Sequence, residues 1–419
     1  MSRVPVQGAP LYTPLVLQGG LYLLVASIPF EYPARTIPLE IPTLTGAIFL
    51  LGTLLYPTRS YGRLPAPALW FGAYLVALLF SIMVGERERA PQALSDYVIL
   101  LQGVLVFLAA ANLMRDETVA RRTLVTFVAA CSVRATLPLL GLGRTTSAVW
   151  TGGERISALG QNANNAAMIL AAGLVALIGL TLMRHHRSRA MLVLAGGLAG
   201  LLGQAILETG SRGGLAALMG GVMVFALAAD SWKQRLRNGA IVIVAVSLLA
   251  VAALHLPVMK NRLRDSASTG NLAGREQLYP ALWNMFLEKP VMGWGPIGNN
   301  YELALRVGQR DRPSRAAHNL LLELLTSGGL VATLPFLIGA WLSVRGAWLA
   351  RGGEHGVLPL ALLCALFLAN MSGDWGASKL LWLVFAYGFV SVRWGSPLLR
   401  FTPVRSQRWA MALPSRVGG

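Results

Sequence analysis

Apolar residues in this chain run unbroken over lengths that suit a bilayer, and strict alternation with polar residues is rare. Near-continuous apolar windows lie at residues 11–30, 41–57, 66–84, 97–114, 123–142, 164–183, 190–207, 213–229, 239–256, 319–344, 356–370 and 378–392. A spanning helix needs roughly 20 such residues, because in lipid every backbone N–H and C=O must be bonded within its own segment. The pattern predicts an all-α polytopic membrane protein of about twelve transmembrane helices. Helices one to nine occupy 1–256, a long loop 257–317, helices ten to twelve 318–392, and a basic tail 393–419. Arg3 followed by apolar residues resembles a signal peptide, but with so many spans behind it the segment reads as a retained first helix.

The loop carries a pattern of its own. Leu278, Leu282, Met285 and Phe286 share one face of a helix predicted from Arg275 to Glu288, which Pro290 stops. Such a helix lies on the membrane surface, with Trp283 at interfacial depth. A tight turn follows over Gly293-Trp294-Gly295-Pro296-Ile297-Gly298, then a short helix over Tyr301 to Val307. Ser314 is the expected N-cap of helix ten, which places Arg315 and His318 three residues apart on one helical face. Earlier, Gly196, Gly200, Gly203, Gly220 and Gly221 approximate small-residue spacing, so helices seven and eight are expected to pack closely.

Charge orients these elements. With the N-terminus in the cytoplasm, the inside connections hold Arg59, Arg63, Arg115, Arg121, Arg122, Arg184, Arg187, Arg189, Lys233, Arg235, Arg237, Arg345 and Arg351. The short outside connections hold most acids, among them Glu31, Glu40, Glu86, Glu88, Asp96, Glu154, Glu208 and Asp374. By the positive-inside rule both termini are cytoplasmic and the long loop is outside, in the periplasm if the membrane is a bacterial inner membrane.

Composition agrees. The 419 residues are 55% hydrophobic and 13% charged, with mean hydropathy +0.57, against about 25% charged in soluble domains. The net charge of +18 would suggest nucleic acid in a soluble protein; here it reads as topology, and nucleic acid is excluded. Cys131 and Cys364 both fall in apolar runs, so neither a disulfide framework nor a cysteine metal site is expected.

Candidate chemistry gathers on the outside face. Arg212 opens a helix after Ser211 and before Gly213-Gly214, where free N–H groups add anion-binding capacity. Arg134 interrupts an apolar span and should face the interior with a partner. Of the five histidines, His185, His186 and His355 fall inside and His255 ends an apolar run. His318 follows an arginine cluster, where a neutral imidazole can take a proton from a hydroxyl. Glu323 is expected to pair with an arginine or to be held neutral. Lys260, Arg262 and Arg264 are read as meeting only headgroups. No Asp-x-Asp, His-x-x-x-His or Cys-x-x-Cys stands outside and no phosphate-loop motif exists, so neither metal nor nucleotide cofactor is expected.

The order Ser211-Arg212-Gly213, a span, Gly274-Arg275-Glu276 leading into Trp283, Gly293-Trp294-Gly295-Pro296-Ile297-Gly298 and His318-Asn319 opening a helix resembles the bacterial O-antigen ligase family. That superfamily also contains O-antigen polymerases and some protein O-oligosaccharyltransferases. The resemblance implies a GT-C-like membrane glycosyltransferase. Such an enzyme moves polysaccharide from undecaprenyl diphosphate to a sugar hydroxyl of lipid A-core at the periplasmic face. It implies Arg212 and Arg275 as diphosphate ligands, His318 as catalytic base, and a cavity shaped by Asn162, Asn164 and Asn165. Charge and location add Arg155, Arg312 and Arg315. Two other readings stand beside it: a polymerase with a similar site and a different acceptor, and a transporter or flippase of an anionic lipid, which would show internal repeats that are not found.

Overall fold

The structure is a computed structural model in which residues 13–31, 40–84, 90–148, 154–183, 188–228, 231–270, 274–308, 314–373 and 375–395 are described. Arg3, Glu86, Glu88, Arg184, His185, His186, Arg187, Arg312, Asp374 and the basic tail from 396 onward lie outside the described residues.

The first half runs α1 (Leu15–Ser27), α2 (Ile41–Leu54), α3 (Pro57–Tyr61), α4 (Ala66–Val84), α5 (Ala90–Leu113) and α6 (Glu117–Thr136). A hairpin of β1 (Arg144–Ala148) and β2 (Glu154–Ala158) follows, antiparallel, with Ser147 opposite Arg155. Then come α7 (Ala163–Met183), α8 (Arg189–Glu208), α9 (Arg212–Leu227) and α10 (Trp232–His255). The long loop contains α11 (Pro257–Thr269), α12 (Arg275–Glu288) and α13 (Gly298–Arg306), and the chain closes with α14 (Leu320–Leu349), α15 (Leu358–Asn370) and α16 (Lys379–Val390). A helix overlies each apolar window, and among the described residues six helices (α4, α5, α7, α8, α10 and α14) are long and apolar enough to cross a membrane.

Two packing groups hold the bundle. Phe71 of α4 meets Phe107 of α5 at 5.1 Å edge-on, and it meets Trp382 and Phe385 of α16 at 5.0 and 5.4 Å. Gly339 of α14 and Gly103 of α5 make room for the rings of Phe71 and Trp382. In the second group α9 lies against α7 and α15: Gly214 sits on Ala167, Gly220 on Leu368, and a Cβ on Gly221 would fall 2.8 Å from Val175. The glycines thus act, but not between the two helices expected. Gly196 and Gly200 of α8 face open space, and close backbone approach is reserved for α7 and α15.

Helix α14 is not the single span that its apolarity suggests. At Gly329 the backbone turns to φ 60°, ψ −163°, a region essentially reserved for glycine. The break removes the bonds that Leu330 N–H and Val331 N–H would make to the carbonyls of Thr326 and Ser327. All four groups are paired instead with the loop after α12. Trp294 and Gly295 N–H donate to Thr326 and Ser327 O at 2.7 and 2.9 Å, and Leu330 and Val331 N–H donate to Pro290 and Val291 O at 2.9 and 3.2 Å. Ser81 of α4 adds bonds to Met292 O (3.0 Å) and Ser327 O (3.2 Å). Left-handed Gly293, Gly295 and Ile297 bend the turn so that it fits the gap.

The loop helices rest on this graft. α12 buries Leu278, Leu282, Met285 and Phe286, the four positions of the sequence pattern, and three of them form a small core with Leu303 and Ala317. Asn299 of α13 donates to Glu323 Oε1 (2.9 Å) and to Thr326 Oγ1 (3.2 Å), so Glu323 has an amide partner where an arginine was one expectation. Ser314 does not cap helix ten. The N-cap is Asn319, whose side chain accepts from Leu322 N–H, and Ser314 is exposed. Arg315 and His318 therefore lie in the segment before the helix, not on its face.

Gly329→Ala is expected to destabilise the purified protein by about 1–3 kcal/mol through backbone strain alone, with a further clash on the Val291 carbonyl. Gly196→Ala, which meets open space, should be neutral. Thermal unfolding in detergent makes the comparison, and equal melting of the two variants would contradict the graft.

Candidate active site at the 209–212 turn

The turn over residues 209–212, which leads from α8 into the first residue of α9, is the hub. Thr209 Oγ1 donates to Ile206 O (2.6 Å) and accepts from Ser211 N–H (3.1 Å), Gly210 is left-handed, and Ser211 Oγ accepts from Gly214 N–H (3.1 Å). Thr209 and Ser211 are buried, so the turn is rigidly held and delivers Arg212 as the first residue of α9.

Arginines from three other elements converge there. Arg155 on β2 donates from Nε to Thr209 O and from Nη2 to Asn164 Oδ1, both at 2.7 Å. Asn162 accepts from Asn164 N–H (2.8 Å) at the start of α7, so two of the three asparagines form a cap that orients Arg155. A Cβ on Gly210 would lie 3.6 Å from Arg262 Cδ and 3.7 Å from Arg155 Cγ, which puts both stems beside this residue. Arg275, first in α12, donates from Nη2 to Ser372 O (2.9 Å), and the Ser372 side chain packs on Gly213. Ser372 thus touches Arg275 and the residue after Arg212, and the charges of Arg212 and Arg275 act on each other.

Burial, then the neighbouring Arg262 and Arg212, push Arg155 down to about 10. Burial, then Arg212 and Arg275, likewise lowers Arg262. Both remain charged at neutral pH. Among the described residues, Asp265 and Glu276 are the acids whose charge reaches Arg212, so four guanidiniums there face two carboxylates. Concentrated positive charge with planar N–H forks suits a polyanion such as a diphosphate, whose oxygens they can bind in pairs.

His318 stands beside this cluster. Tyr279, one turn after Arg275, donates its hydroxyl to Met371 O (2.7 Å) and to His318 O (3.3 Å), tying the histidine backbone to α12 and to the end of α15. His318 is left-handed, φ 51°, a conformation uncommon for a residue with a Cβ. A Cβ on Gly274 would lie 4.0 Å from Arg315 Nη2, so Arg315 borders the start of α12, and its N–H donates to Asn300 O (2.9 Å). Arg312 lies outside the described residues.

Arg262 is a correction: read as a headgroup contact, it belongs to the cluster. Leu256, Met259 and Leu263 of the α11 region join Leu207 and Ala253 in a small core, and that packing aims Arg262 inward. Their i, i+3, i+7 spacing, with Pro257 at the first helical position, was the available signal. Arg134 has found its partner outside the site: Nε and Nη2 donate to Gln161 Oε1 at 3.0 and 2.7 Å.

Residues 197–337 match the family model of the O-antigen ligase domain, Wzy_C. The match supports the O-antigen ligase family, and with it an O-antigen ligase or polymerase-like activity in general terms. No curated protein matches the chain. The matched segment contains Arg212, Arg262, Arg275, Arg315 and His318 and ends beyond the Gly329 break; Arg155 and Asn164 come from outside it.

Arg212→Lys and Arg275→Lys keep the charge but lose the fork. Each should raise about tenfold the inorganic pyrophosphate needed to protect the 209–215 backbone from hydrogen exchange, roughly 1.4 kcal/mol, whereas Arg264→Gln on the exposed side of α11 should not. Identical curves for all three would reduce the arginines to lipid anchors.

Proposed function

We propose that the protein is an O-antigen ligase, a glycosyltransferase that moves polysaccharide from undecaprenyl diphosphate to a sugar hydroxyl of lipid A-core. The convergence of Arg155, Arg212, Arg262 and Arg275, from four separate elements, on one turn carries this reading. The family match and the membrane-length helices support it. The site lies at the periplasmic face of a bacterial inner membrane, with both termini cytoplasmic, as the distribution of basic residues favours.

In the reaction the acceptor oxygen attacks the anomeric carbon as the bond from that carbon to the diphosphate oxygen breaks. The leaving diphosphate keeps the bonding electron pair. Arg212, Arg275, Arg155 and Arg262 neutralise the charge that develops there, Arg315 bordering the same space; preorganised cations serve this better than water because they need no reorganisation during the step. His318, held by its backbone, takes the hydroxyl proton on an imidazole nitrogen. The donor arrives activated, so neither nucleotide nor metal enters the scheme. Both substrates carry lipid tails and enter sideways from the bilayer.

His318→Ala is expected to lower transfer about 10²–10⁴-fold, the usual worth of a general base, in a purified system with lipid-linked glycan and lipid A-core. Its melting temperature should stay unchanged, and retained activity would refute the base assignment. Adding a chelator should leave the wild-type rate unaltered. A loss restored by a divalent ion would overturn the metal-free scheme.

A further inference from the structure

A second charged cavity lies at the opposite end of the bundle. α7 and α9 begin at the arginine turn and end at this cavity, with Leu182 and Phe225 in its wall; α15 starts from it and ends two residues before Ser372. Its volume is about 490 Å³, within the roughly 300–1,000 Å³ of small-ligand sites.

The lining is chemically specific. Arg121 of α6, Arg237 of α10 and Arg351, just after α14, all border it. Arg351 is held in place, stacked 4.3 Å over the Trp348 ring and donating to Trp348 O (3.0 Å). Arg237 leans on Asn238 Oδ1 at 3.4 and 3.5 Å, and Asn238 is anchored on Phe225 O (2.9 Å). Its acids are Glu117 and Glu354: burial, then the Glu354 carboxyl beside it, raises Glu117 to about 7. His355 is buried between Tyr387 Oη (2.6 Å) and Glu117 Oε1 (3.3 Å), and burial lowers it to about 4, so it adds no charge at neutral pH. Among the described residues, three guanidiniums and the two carboxyls of Glu117 and Glu354 border the cavity, which has one apolar wall.

We propose that this cavity binds a phosphate group, with the three arginines as its ligands, independently of the site at the 209–212 turn. The apolar wall of Leu182 and Phe225 suits a phosphate that carries an acyl chain, and the geometry equally admits free phosphate. Solvated arginines at a helix end normally serve topology alone. Here three of them border one cavity, and one is fixed by an aromatic ring.

Hydrogen exchange read by mass spectrometry on the full-length protein in neutral detergent tests this locally. The probes are inorganic phosphate, dihexanoyl phosphatidylglycerol and uncharged dihexanoylglycerol. Both phosphate probes should protect 351–358 and 232–238, and dihexanoylglycerol should not. Arg237→Gln/Arg351→Gln should raise the required phosphate at least tenfold while leaving protection at 209–215 as it is, which also reports a folded protein. Arg121→Gln, on the exposed start of α6, serves if that pair does not fold. Phosphatidylglycerol acting at tenfold or more lower concentration than phosphate would identify a lipid headgroup as the source, and equal concentrations free phosphate. Absence of protection at 351–358, equal protection by dihexanoylglycerol, or protection indifferent to the arginine variants would overturn the proposal.

Discussion

The four backbone bonds between the Gly329 break and residues 290–295 are the constraint on which the site depends. A helix interrupted in an apolar setting leaves N–H and C=O groups that water cannot satisfy, each costing several kcal/mol if unpaired. The loop supplies all four partners, so it cannot leave α14 without exposing them. α12 enters this graft and α13 leaves it. Arg275, Tyr279 and the segment bearing His318 are thereby referred to the same rigid frame as α4 and α14. A loop tied only by side chains would not place a base and a cation with comparable accuracy.

The opposing requirement is electrostatic. Four arginines drawn together repel one another, and partial burial lowers Arg155 and Arg262. Two of the guanidiniums bond neutral acceptors: Thr209 O and Asn164 Oδ1 for Arg155, Ser372 O for Arg275. Carbonyls and amides orient a cation without cancelling its charge. Arg134 shows the contrasting case, deeply buried and bonded to Gln161 away from any ligand.

Much of this was legible in the chain. Apolar windows marked where helices lie, and the face of α12 followed from Leu278, Leu282, Met285 and Phe286. Arg212, Arg275 and His318 emerged from motif order, and the structure brings their surroundings together through Ser372 and Tyr279. What escaped has identifiable causes. Hydropathy is blind to a backbone break, so α14 read as one span although Gly328-Gly329 lay within it. The hairpin of β1 and β2 is mostly polar and short, leaving Arg155 placed only by its charge and its location on the outside face. α11 buries only a few side chains among many polar ones, and Arg262 was lost with it. Small-residue spacing marks close approach without naming the partner, so the α9 glycines were assigned to α8 when α7 and α15 receive them.

The central claim is a single displacement at one site, with the diphosphate on the arginines and the acceptor deprotonated on the other side by His318. It is tested most directly by the configuration of the new linkage. Purified protein is given a lipid-diphosphate glycan of known anomeric configuration together with lipid A-core, and the product linkage is read by nuclear magnetic resonance. Inversion is the predicted result. Retention would require a second displacement or a covalent intermediate, and it would contradict the account.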